Sequence, residues 1–193
     1  MSLKHATSIG AKKVALIAIM TATIEAGKLA LSAIPNVEVV SLLCAVYGYV
    51  FGLIGVVSIV LFVGIETLIW GVNTWVLSYL IYWPTVCMIY WLLGRLKVKS
   101  RLIITAVIVV LTAFFGVLTS LVDVGLFSGF WDNFWQRFAI YYSRGIVFYV
   151  VQIACNAIVF PLLFLPLANV LTKFKDKFLD SPNDSFPLSN SNA

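Results

Sequence analysis

Residues 38–95 read EVVSLLCAVYGYVFGLIGVVSIVLFVGIETLIWGVNTWVLSYLIYWPTVCMIYWLLGR, and between Glu38 and Arg95 the single charged residue is Glu66. So long an uncharged run does not stay solvated as a soluble domain, which keeps roughly a quarter of its residues charged. It reads as membrane helices, because backbone without internal hydrogen bonds does not cross lipid. The open question is whether it holds two long helices or three short ones. Turn-forming residues stand where three would need them: Gly48, Gly52 and Gly55, then Gly71 to Asn73. Three spans of about 17–20 residues just fit.

The flanking sequence agrees. Residues 14–24, 29–35, 102–122 and 145–172 are further uncharged runs. Across all 193 residues, 62% are hydrophobic and 11% charged, and the mean hydropathy is +1.03. This excludes a soluble enzyme, a nucleic-acid-binding module and a disordered chain. It also leaves no room for a folded ATPase beside the helices.

Charge parity selects three helices. Lys4, Lys12 and Lys13, then Arg95, Lys97, Lys99 and Arg101, then Lys173, Lys175 and Lys177 make ten of the 13 Lys and Arg. Basic clusters collect on the cytoplasmic side, so an even number of spans must separate them. The reading is an all-α integral membrane protein with six transmembrane helices and both termini cytoplasmic. Helix one covers about 12–34, three helices fill 38–94, helix five covers 102–122 and helix six about 140–171. As domains, 1–10 is a cytoplasmic N-terminus, 11–172 the six-helix transmembrane unit, and 173–193 a cytoplasmic tail. Its end, SPNDSFPLSNSNA, is expected to be disordered. A signal-peptide reading of 1–33, with its basic start and 11-residue apolar stretch, is the minority one, because Glu25 stands where a small-x-small cleavage site is wanted. The formal charge of +5 is topological and needs no nucleic acid. Cys44, Cys87 and Cys155 lie in apolar runs as small buried hydrophobes, with no metal site and no disulfide expected.

Ionisable groups at membrane depth are costly and face protein or a wet cavity. Toward the non-cytoplasmic side stand Glu25, Lys28, Glu38, Glu66, Asp123, Asp132, Arg137 and Arg144, five acids against three bases. Glu25 and Lys28, at i and i+3, can pair with each other. Trp70 and Trp75 flank Gly71 to Thr74, and 130–137 reads FWDNFWQR. Flat rings mixed with hydrogen-bonding groups suit a small-molecule pocket, although interfacial aromatic belts produce Trp and Tyr too. Tyr149, Gln152 and Asn156 share one face of helix six, directed into the bundle, with interhelical glue as the first reading and substrate contact as the second. Helix one carries Ala11, Ala15, Ala18, Ala22 and Ala26 on one side, a small-residue face that lets another helix approach closely.

The alanine stripe, the segment LSAIPNVE (31–38) and a Gly-punctuated second span together resemble the substrate-binding S components of energy-coupling factor (ECF) vitamin transporters. The resemblance covers about residues 11–172, in architecture more than in strict motif. It implies an ABC-type importer of a prokaryotic plasma membrane, with no enzyme activity and no cofactor in this chain. The S component would capture a water-soluble vitamin and dock through Ala18, Ala22 and Ala26 on a transmembrane coupling protein. Two cytoplasmic ATPases would hydrolyse ATP. Expected substrate contacts are Trp70, Asn73, Trp75, Trp131 and Trp135 as walls, with Asn36, Glu66 and Arg144 as polar partners. The acidic outer half favours a neutral or cationic ring-bearing ligand over folate. Cobalamin is the first choice, followed by thiamin, riboflavin or a pyridine vitamin. The rival readings are a stand-alone permease or channel, for which no internal repeat speaks, and an intramembrane enzyme, for which no nucleophile–base or metal motif speaks.

Overall fold

A computed structural model of the chain describes residues 3–34 and 38–179, with side chains from residue 10. Every described element is a helix: α1 (Leu3–Leu31), α2 (Val40–Phe51), α3 (Leu53–Trp70), α4 (Thr74–Arg95), α5 (Arg101–Leu121) and α6 (Phe134–Leu179). A π-helical segment, Val122–Phe127, extends α5. Asn36 and the tail from 180 onward lie outside the described residues.

Five stretches are long and apolar enough to cross a bilayer: Gly10–Leu31, Leu53–Trp70, Thr74–Arg95, Arg101–Phe127 and Phe134–Leu179. Their outward faces are apolar too, with Val14, Leu68, Leu102, Phe114, Val147 and Leu162 well exposed. Water does not tolerate so large an apolar surface. The chain is a multi-pass, all-α membrane protein.

Contacts between helix ends give the direction of each pass. Tyr49 Oη donates to the Val98 carbonyl at 2.9 Å, and Lys175 Nζ to the Val50 carbonyl at 2.9 Å. The end of α2, the α4–α5 turn and the end of α6 therefore share one end of the bundle. On α1, Thr21 Oγ1 donates to the Ser58 carbonyl at 3.0 Å, and Lys28 pairs with Glu66. Thus α1 and α3 run in the same direction, and Lys12 and Lys13 fall beyond the start of α3, toward that same end. The three basic clusters share one end of the bundle, as parity requires.

The helix lengths correct several sequence-based boundaries. α2 has 12 residues, about 18 Å of helix, short of the roughly 17 residues expected for a span. It can be short because it barely meets lipid: ten of its residues are buried among its neighbours, and backbone enclosed by protein is exempt from the lipid rule. Gly52 alone, at φ +62°, makes the α2–α3 turn. Gly48 and Gly55 are packing residues instead. A side chain at Gly48 would strike the Cys87 carbonyl, and one at Gly55 the Tyr47 backbone. Gly94 lies equally close to Tyr49, so α2 and α4 cross nearly backbone to backbone. The α3–α4 turn falls at Gly71 to Asn73 as expected. α1 ends at Leu31 rather than 34. α6 begins at Phe134 rather than 140 and stays helical through Lys173, Lys175 and Lys177.

Candidate ligand-binding site

At the end of the bundle opposite Arg95 and Lys175, the six helices leave a cavity of about 270 Å³. Its wall takes Lys28 and Leu31 from α1, Phe62 from α3, Tyr79 and Trp83 from α4, Phe115 from α5 and Gln152 from α6. Glu38 closes it from the α1–α2 connection and Val40 from the first turn of α2. The rings of Tyr79 and Trp83 lie edge-on at 5.8 Å. Trp83 and Phe115 tilt together at 6.0 Å. These flat surfaces suit a planar ligand.

Glu38 is the chemical centre of this wall. Its carboxylate accepts the Ser41 backbone N–H at 2.9 Å and the Ser41 hydroxyl at 2.5 Å. It thereby satisfies a free donor at the start of α2, where helix dipole and carboxylate attract. The Gln152 amide donates to the same carboxylate at 3.4 Å. Glu38 sits between α1 and α2, outside the spanning helices. Burial pushes its carboxyl above the ordinary value, and the bonds from Ser41 and Gln152 pull it partly back.

Beneath the cavity a polar layer ties four helices. Asn156 Nδ2 donates to Thr112 Oγ1 at 2.9 Å and to Ser41 Oγ at 3.5 Å. Tyr82 Oη reaches Thr112 at 3.4 Å. Below that, Tyr90, Phe160 and Phe164 are buried in contact, with Phe160 stacked on Phe164 and Tyr90 tilted against both, which closes the floor. Asn156 and Gln152 thus divide the work expected of their shared face: Asn156 joins helices, while Gln152 both joins them and lines the cavity. Among the described residues, two buried atoms here lack partners, Trp83 Nε1 and Asn156 Oδ1. Such groups cost about 1–3 kcal/mol each unless something else satisfies them.

A second cavity of about 340 Å³ adjoins the first and shares Lys28 and Tyr79 with it. Glu66, Trp70 and Trp75 complete its lining, so three of the sequence-predicted contacts do come together. Lys28 bonds Glu66 across to α3 rather than pairing with Glu25, and its ammonium lies 5.9 Å from the Tyr79 ring centre. Among the described residues, the carboxylate oxygens of Glu25 have no hydrogen-bond partner.

The other predicted contacts are elsewhere. Asn73 caps α4, accepting the Thr74 N–H at 2.6 Å. Trp131 and Trp135 are each 72% exposed, and Trp135 stands in the first turn of α6, not in a loop. Arg144 lines a separate recess with Arg137 and Tyr141. This corner is organised locally: Arg137 donates to the Ser128 and Gly129 carbonyls at 3.1 and 2.6 Å, and Tyr141 donates to Asp123 at 2.6 Å. Asn36 lies outside the described residues. Ala18, Ala22 and Ala26 are exposed along α1, with Ala11 and Ala15, while Leu16, Met20 and Ile24 fill the core.

Sequence reasoning counted Glu38 and Lys28 among the outer charges but did not assign them, Tyr79 or Trp83 to the site, gave Gln152 substrate contact only as a second reading, and left out Phe62 and Phe115. One signal was available for Glu38: an acid three residues before Ser41, at the head of an uncharged run, is placed to cap a helix. Among the described residues, no group of three or more His, Cys, Asp or Glu could hold a metal ion. The arrangement can bind, orient and desolvate a small ring. Compared with known protein families, curated proteins and solved structures, the chain finds no match.

Proposed function

We propose that the chain is the substrate-binding subunit of an ECF-type importer, capturing a small water-soluble micronutrient in the Glu38–Gln152 cavity. The observation that carries this reading is the cavity itself. It lies in the half of the bundle opposite the basic clusters and ends on a packed floor, which suits a receptor better than a channel. By the positive-inside rule it faces outward, with both termini in the cytoplasm. The exposed alanine face of α1 supports the second half of the reading. Small side chains there leave room for a coupling protein to approach closely, and that protein would connect to two ATPases. ATP hydrolysis belongs to those partners.

The cavity sharpens the substrate. A cavity of about 270 Å³ favours a ligand smaller than cobalamin, the first choice on sequence grounds. Thiamin, riboflavin or a pyridine vitamin is closer to that scale. Aromatic walls would take the ring, and Glu38, Gln152 and the Trp83 N–H would orient its polar edge.

Ala22→Trp tests the coupling half. Transport by a complete complex is expected to fall to background, while ligand affinity of the isolated subunit stays within about twofold, because Ala22 points away from the cavity. Wild-type transport by this variant would remove α1 as the docking face.

A further inference from the structure

We propose that the basic end of the bundle holds a site for the phosphate of an anionic membrane phospholipid, between the α2–α3 turn and the ends of α4 and α6. A cavity of about 440 Å³ lies there, with Arg95 and Lys175 as its cations and Val50, Ile54 and Trp91 among its apolar walls. It is remote from the Glu38 cavity and stands whether or not the proposed function does.

Both cations are held in place. The Arg95 guanidinium lies over the Trp91 ring at 5.0 Å. Trp91 in turn packs against Gly52, where an added Cβ would meet the indole at 3.0 Å. Lys175 Nζ spends one donor on the Val50 carbonyl and keeps two. That carbonyl is neutral and does not compensate the charge. Among the described residues, neither Arg95 nor Lys175 makes an ion pair with an acid. A phosphodiester matches this pair: guanidinium presents a planar fork to two oxygens, and ammonium supplies a second charge.

The surroundings favour a lipid over free phosphate. The site sits where the uncharged spans begin, at headgroup level, and basic pockets between helices on this side suit anionic headgroups. From its rim the outer face of α3 continues as Leu53, Val57 and Leu61, all exposed. That apolar strip runs into the membrane from the phosphate position, as an acyl chain would.

The test uses the full chain, delipidated in a neutral detergent, with binding read by native mass spectrometry and by thermal unfolding. Phosphatidylglycerol is expected to bind saturably and raise the unfolding midpoint. Arg95→Gln and Lys175→Gln should each weaken that binding about fivefold. Arg95→Lys, which keeps the charge, should retain most of it and guards against misfolding as the explanation. Lys97→Gln with Lys99→Gln, outside the cavity, should change little. Equal loss in that pair would mean a diffuse basic field and overturn the site. Equal protection by inorganic phosphate would overturn the lipid assignment, and absence of saturable phosphatidylglycerol binding would overturn the proposal entirely.

Discussion

Glu38→Ala is expected to weaken ligand binding by about a hundredfold, roughly 2.7 kcal/mol. Two losses combine. The ligand loses the carboxylate that faces it, and the Ser41 N–H and Gln152 amide lose their acceptor, so the cavity wall is no longer preorganised. Glu38→Gln separates these effects. Its amide oxygen can still accept from Ser41, so the fold should hold while charge recognition is lost. The variant also has a pH signature. Because burial raises the Glu38 carboxyl, the folded state binds its proton more tightly than the unfolded state. Its contribution to stability is therefore full below the unfolded value, and it declines as pH rises through the folded one. Thermal unfolding of wild type against Glu38→Gln should show wild type losing ground as pH climbs above the ordinary glutamate value of about 4.3. Parallel profiles would mean that Glu38 is not held in a desolvated wall.

Gly48→Leu is expected to be the most damaging substitution for the fold. At Gly48 the backbones of α2 and α4 touch, and a side chain would be driven into the Cys87 carbonyl. Neither side can give by rotating a side chain, because the obstacle is backbone. Overpacking of this kind costs on the order of 3 kcal/mol or more. Because α2 also carries Ser41 and fixes Glu38, ligand binding should fail with it. Gly64→Leu is the control: nothing lies within 4 Å of a Cβ built there, and its thermal midpoint should stay near wild type. Equal stability of the two variants would contradict the close crossing.

These two residues mark the boundary of what the sequence made legible. Spans and their directions were readable because charge is scarce and clustered: Arg95 to Arg101 and Lys173 to Lys177 leave few ways to thread the chain. The shortness of α2 was not readable. Hydropathy does not distinguish an apolar helix facing lipid from one enclosed by protein, and Gly48 looks like a turn residue until α4 is seen against it. The site was harder. Glu66, Trp70 and Trp75 are close in sequence and stayed together in space. The main cavity, however, joins Glu38 to Gln152 across 114 positions and draws its rings from three helices, so no local pattern announces it. Trp131 and Trp135 attracted notice because a dense aromatic loop resembles a pocket wall, yet they are exposed on a corner that Arg137 and Tyr141 hold together. Lys28 shows the same limit, since Glu25 acts on its charge while its hydrogen bond goes to Glu66. Helical spacing offers Glu25, while the tertiary structure supplies Glu66.

The central claim, that the Glu38–Gln152 cavity binds a small ring-bearing micronutrient, is met most directly by calorimetric titration of the purified protein against a panel of water-soluble vitamins, run in parallel on Gln152→Ala. The account predicts nanomolar binding of one neutral or cationic ring-bearing member, at one site per chain, weakened at least tenfold in the variant. A nanomolar response to folate or pantothenate with none to the neutral and cationic members, or an affinity untouched by Gln152→Ala, would contradict it.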